Sequence, residues 1–75
     1  MYKIEIEGTL EECIGVKIKN LRRLKGWTQE DLAKKITLSR PSLSNIEIGR
    51  HKLTINLMEQ LCKLFEIKSS ELLPF

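Results

Sequence analysis

The sequence predicts an all-α fold: a compact domain of five short helices over residues 9–75, behind a short N-terminal β-strand or arm at residues 1–8. Three observations predict it. Ser and Thr recur just ahead of apolar runs, at Thr9, Thr28, Ser39, Thr54 and Ser69, where a hydroxyl can accept from the unpaired amides of a starting helix. The apolar residues that follow are spaced as on a helix with one buried face. Outside residues 2–7, no segment reads as a convincing strand.

Residues 2–7 alternate Tyr2, Ile4 and Ile6 with Lys3, Glu5 and Glu7, the period-two pattern of a strand with one apolar face, and Gly8 ends it. A lone strand has unpaired backbone groups along both edges. Three outcomes follow: pairing with the same strand of a second subunit, which is the expectation, adding to another protein's sheet, or remaining a disordered arm. Thr9 and Glu12 then make a capping box, and Leu10, Cys13, Ile14, Ile18 and Leu21 carry a first helix to about residue 25, before Gly26.

Thr28 caps the second helix by accepting from the Asp31 amide, while Trp27 packs on Leu32 as a hydrophobic staple. Leu32, Ala33 and Ile36 share a face, and the small Ala33 admits a close crossing. Ser39 caps the third helix, Pro41 is tolerated in its first turn, and Leu43 and Ile46 form its apolar stripe. Two helices crossing over so short a turn make a helix-turn-helix. Gly49 ends it. A basic loop, Arg50-His51-Lys52, leads to a fourth helix capped by Thr54, with Met58, Leu61, Cys62 and Phe65 inward and Ile67 behind. Ser69 caps a last turn over residues 70–73, and Pro74 forbids continuation.

At 75 residues the chain holds one domain, which buries only about 60% of its unfolded surface. Cys13 and Cys62 lack any CxxC or Cys/His grouping and sit at apolar helical positions, so they read as buried, reduced core thiols. No apolar run is long enough to span a membrane and the N-terminus is charged, so a cytoplasmic location is expected. The net charge of +3 is unevenly spread: residues 17–52 carry ten Lys and Arg against three acids, and the rest carries three against seven. A solvated helix face explains any one of these charges. Their segregation suits a domain that neutralises phosphates.

The stretch 26–49, GWTQEDLAKKITLSRPSLSNIEIG, resembles the DNA-binding motif of the Cro/repressor, or Xre-type, family through Gln29, Ala33, Leu43 and Ile46. Arg22, Gly26, Glu47, Gly49 and the Leu61-Cys62-Lys63 helix extend the resemblance over roughly residues 12–73. It implies a lambda-repressor-like fold and a transcriptional regulator, a repressor binding a palindromic operator as a homodimer. It further implies that Arg22 and Glu47 form a partly buried salt bridge, that Gln29 contacts a phosphate, and that Leu72 to Phe75 contribute to a dimer seam; burial of Leu72 against the fourth helix is the equal alternative. Three positions depart from the family. Thr37 stands where Gly is frequent, an awkward place for a β-branched residue if φ is positive; Leu53 replaces a common proline, and Cys62 a usual alanine.

Once Leu43, Ile46 and Glu47 turn inward, Arg40, Pro41, Ser44, Asn45 and Ile48 are left outward on the third helix. A guanidinium forks onto guanine O6 and N7, and a carboxamide pairs with adenine N6 and N7, so Arg40 and Asn45 are the expected base readers in double-stranded DNA. Ser44 serves either base, and Pro41 or Ile48 suits a thymine methyl. Gln29 and Thr28 at the start of the second helix, with Arg50 and Lys52 after the third, are the expected phosphate contacts. His51 has no ligand partner at metal spacing. The sequence holds no nucleophile-base pair, metal cluster or phosphate-cradling glycine loop, so no enzyme activity, metal or cofactor is expected. The competing reading is an antitoxin-like module that binds DNA and also a protein partner through residues 2–7.

Overall fold

A computed structural model describes residues 10–72. They form five helices: α1 (Leu10–Leu24), α2 (Gln29–Lys35), α3 (Arg40–Glu47), α4 (Ile55–Phe65) and α5 (Ser69–Leu72). The N-terminal strand, the Thr9 cap and the C-terminal tail beyond Leu72 lie outside the described residues.

Each internal helix starts on a side-chain cap. Thr28 Oγ1 accepts from the Asp31 amide at 3.1 Å, and Asp31 Oδ2 accepts from the Thr28 amide at 3.0 Å, a reciprocal capping box. Those bonds favour the carboxylate and hold the Asp31 carboxyl below its ordinary value, the Thr28 amide being the largest cause. Ser39 Oγ and Thr54 Oγ1 accept in the same way from the amides of Ser42 and Leu57.

The helix ends repeat one solution as well. After α1, the Trp27 amide reaches back to the Arg22 carbonyl at 3.1 Å and the Gly26 amide to Arg23 at 3.0 Å, a Schellman motif around a left-handed Gly26. The six-to-one bond recurs from Leu38 to Ala33, from Arg50 to Asn45 and from Ile67 to Cys62. The left-handed residues there are Thr37, Gly49 and Glu66, with φ of 56°, 81° and 55°. Thr37 therefore adopts the positive φ that its β-branched side chain opposes, and the turn between α2 and α3 keeps its shape at the cost of strain. Glu66 does the same after α4, where the sequence offers no stop signal.

Ile14, Ile18, Leu32, Ala33, Ile36, Leu43, Ile46, Leu57, Leu61, Phe65 and Leu72 form the core. The sequence placed the seam of α1 slightly off. Leu10 is exposed and Cys13 and Leu21 are only half-buried, whereas Gly15 and Arg22 are buried. On α4, Leu57 is buried, and Met58 and Cys62 lie at the margin. Both cysteines are thus half-buried free thiols rather than core residues. Burial, and then the Glu71 carboxylate, push the Cys62 thiol up, which keeps it protonated. Trp27 packs at the core's edge, its ring 5.7 Å from Phe65 with the Lys35 ammonium 4.8 Å from its centroid. Leu72 is fully buried, and the Lys17 ammonium donates to the Glu71 carbonyl at 3.0 Å, tying α1 to α5.

Gly15 sets how close α1 comes to α3. A Cβ there would collide with the backbone carbonyl oxygens of Ile46 and Glu47. We predict that Gly15→Ala destabilises the domain by about 1–3 kcal/mol, since the obstacle is backbone. Thr37→Gly should stabilise it by about 1 kcal/mol through relief of the left-handed strain. Urea unfolding reads both, and shifts of the same sign would contradict the pairing.

Candidate nucleic-acid interface

Arg22 lies one turn beyond Ile18 on the inner face of α1, where its guanidinium meets two other parts of the chain. Its Nε donates to Glu47 Oε2 at 2.8 Å and Nη2 to Glu47 Oε1 at 3.2 Å, a bidentate pair with α3. Its Nη1 donates to the Trp27 carbonyl at 2.8 Å, just before α2. Gln29 Nε2 completes the set, donating to Glu47 Oε1 at 3.0 Å. The side chains of Arg22 and Glu47 are 10% and 1% exposed, so this ion pair sits in the interior. No buried side-chain nitrogen or oxygen among the described residues lacks a partner. A charge taken out of water at this cost is tolerated because every strong acceptor and donor is met.

With Glu47 held inward, the orientation of α3 follows. Leu43 and Ile46 are buried beside it, and the opposite arc of the helix runs through Arg40, Pro41, Ser44, Asn45 and Ile48. Arg40, Pro41 and Ile48 are exposed, and Ser44 and Asn45 are half-buried. Arg40 and Pro41 follow the Ser39 cap as the first two helical residues, so the guanidinium and pyrrolidine stand at the tip of α3. Arg50, His51 and Lys52 are exposed in the connection from α3 to α4.

Two of the residues expected to meet phosphate are already engaged within the protein. The Thr28 hydroxyl accepts in its capping box, which leaves its own proton to donate. The Gln29 carboxamide is committed to Glu47 through one N–H, and its second N–H remains. The engagement of Gln29 with the Arg22–Glu47 pair is absent from the sequence reading, because an 18-residue separation carries no local signal. Among the described residues, no group of His, Cys, Asp and Glu could hold a metal ion, and no helix is long and apolar enough to cross a membrane.

Two short helices crossing on small and aliphatic residues, with a polar, cation-tipped face on the second, define a helix-turn-helix domain of the DNA-binding kind. A helix-turn-helix family model matches residues 18–72. The chain belongs to that family, the Xre-type helix-turn-helix proteins, whose members are regulators of transcription rather than enzymes. It is 38% identical over 56 residues to an uncharacterized HTH-type transcriptional regulator of Methanocaldococcus jannaschii, covering 75% of this chain and 85% of that protein. It is 34% identical over 59 residues to the competence pilus inhibition repressor of Acinetobacter baylyi, covering 79% of this chain and 54% of that one. Among solved structures it is similar to the master regulator for biofilm formation SinR in complex with DNA, with TM-score 0.72 and 28% identity over 79% of this chain and 95% of that one. The fold is therefore that of lambda-repressor-like regulators, and the protein is a transcriptional regulator with a helix-turn-helix DNA-binding fold.

The ion pair gives the interface its sharpest test. We predict that Glu47→Ala costs about 3–5 kcal/mol, because Arg22 is left buried without its counter-charge. That is comparable to the whole stability of a domain this small. Chemical denaturation measures it, and a loss under about 1 kcal/mol would show that the pair is solvated instead.

Proposed function

We propose that the protein is a sequence-specific repressor that binds a palindromic operator in double-stranded DNA as a homodimer, with α3 in the major groove. The observation that supports it is the division of α3 into a locked face and a free one. Leu43, Ile46 and Glu47 are fixed in the interior, and Arg40, Ser44 and Asn45 point the other way with no side-chain partner assigned among the described residues. Arg40 forks onto guanine O6 and N7, Asn45 pairs with adenine N6 and N7, and Ser44 bonds to either base. Pro41 packs on a thymine methyl. Gln29, Thr28, Arg50 and Lys52 hold the phosphates on either side and set the register of α3 in the groove, without reading sequence.

A single α3 offers only a few base contacts, and a two-fold protein doubles them while matching a palindromic site. Repression accords with the named repressor among the relatives: a bound dimer occludes the DNA it covers. The antitoxin-like reading rests on residues 2–7, outside the described residues, and no observation of α1 to α5 favours it over a plain operator-binding dimer.

The experiment compares two substitutions on matched and scrambled duplexes. We predict that Arg40→Ala costs about 1–3 kcal/mol on the operator and relaxes the preference at one base pair in each half-site. Lys52→Ala should weaken all sequences alike and shrink the salt slope by about one. Identical behaviour of the two variants would overturn the division into readers and clamps. Light scattering of the complex should give two chains per operator; one chain per site at saturation would overturn the dimer.

A further inference from the structure

The fold sorts the basic residues by what they already touch. Of the ten Lys and Arg in residues 17–52, some are engaged within the protein: Lys17 donates to the Glu71 carbonyl, Arg22 is buried on Glu47, Lys34 pairs with Glu30 and Lys35 lies over the Trp27 ring. Arg40, Arg50 and Lys52 stand on α3 or in the connection after it. Lys19, Arg23 and Lys25 are left. Lys25 belongs to the turn that follows α1, whereas Lys19 and Arg23 sit inside the helix and have no hydrogen-bond or ionic partner among the described residues.

Two contacts with α3 fix where these cations stand. A Cβ on Gly15 would strike the carbonyl oxygens of Ile46 and Glu47, and Arg22 holds the Glu47 carboxylate. Lys19 comes four residues after Gly15 and three before Arg22, so it lies on the same face of α1 between those contacts, half-buried. Arg23 follows one turn later, exposed at the edge of that face. The two make a short cationic row along the side of α1 that borders α3. Gln29 reaches the same corner from α2 through its bond to Glu47. Glu47 itself is committed to Arg22 and Gln29, and Glu12, on the same edge of α1, lies two turns from Lys19 beside Gly49. Like charges one turn apart repel in the free helix, and a polyanion between them turns that cost into attraction.

We propose that Lys19 and Arg23 are a phosphate clamp supplied by α1, which grips the DNA backbone on the Gln29 flank of α3. A helix in the major groove runs between two sugar-phosphate backbones, so a cation on each flank meets phosphate. Lys52 lies beside Ser42 and Ile46, on the other flank. Lys19 and Arg23 are the matching pair on the side of Glu47. The ligand is the phosphodiester backbone, held without regard to sequence. The clamp rests on the placement of α3 in the major groove proposed above.

The test compares double variants of the full chain on random-sequence duplex DNA over a range of salt. Lys19→Gln with Arg23→Gln should bind at least tenfold more weakly at about 0.1 M salt and shrink the salt slope by about one to two. Lys63→Gln with Lys68→Gln removes the same charge from the end of α4 and the turn before α5, and should change affinity less than threefold with the slope kept. Lys19→Arg with Arg23→Lys preserves the charges and should retain the native slope. Equal losses in the two neutralised pairs would reflect net charge alone and overturn the clamp. A slope unchanged by Lys19→Gln with Arg23→Gln overturns it too. If the Lys19 substitution unfolds the chain, Arg23→Gln alone, at an exposed side chain, decides: a slope smaller by about one supports the clamp, and an unchanged slope overturns it. A native protein that binds no DNA overturns the DNA-binding function and the clamp together, whereas native binding that these variants leave intact overturns the clamp alone.

Discussion

One buried guanidinium holds the architecture of the interface together. Arg22 grips both oxygens of Glu47 and the carbonyl of Trp27, and Glu47 receives Gln29 as well. Three of these bonds come from a single side chain of α1, which fixes the end of α3 and the entry to α2, and the fourth ties the first residue of α2 to Glu47. Burying an ion pair is an expensive way to add stability, since apolar residues of the same volume commonly do as well. Its value here is geometric. A planar fork that binds a carboxylate in two places admits one rotation of α3 about its axis, and that rotation decides which side chains stay in solvent.

Gly15 and Gly49 complete the constraint from the backbone side. At Gly15 the carbonyls of Ile46 and Glu47 come so near that no side chain fits, and at Gly49 the first turn of α1 closes in around Glu12. Helix α3 is thus pinned at its C-terminal end by α1, while its N-terminal end, with Arg40 and Pro41, stays exposed.

The parts of this fold legible in the sequence are those governed by short-range chemistry. The caps at Thr28, Ser39 and Thr54 are readable because a hydroxyl and an amide three residues on are neighbours in any helix start. Gly26 and Gly49 are readable for the same local reason. The inward set of α2 and α3 is legible too, so the outward face of α3 follows as its complement. Long-range facts are not written this way. An apolar stripe on α1 does not say which of its edges is covered, and the covering is set by Gly15 against α3, which exposes Leu10 and buries Arg22. On α4, the same periodicity fits a seam through Met58 and Cys62 as well as one through Leu57, Leu61 and Phe65; tertiary packing selects the second. Glu66 and Thr37 adopt left-handed backbone without any side-chain reason, held there by the bonds from Ile67 and Leu38. Gln29 shows the limit for the site: its place in the motif is evident, its hydrogen bond to Glu47 is not.

Selection of binding sites from a pool of random duplexes decides whether the face of α3 left free by the Arg22–Glu47 pair reads DNA sequence. The expected result is a two-fold symmetric motif with conserved guanine and adenine in each half, the half-site centres about 34 Å or a multiple of that apart. Recovered sequences indistinguishable from the starting pool, with binding that varies only with salt, would contradict it.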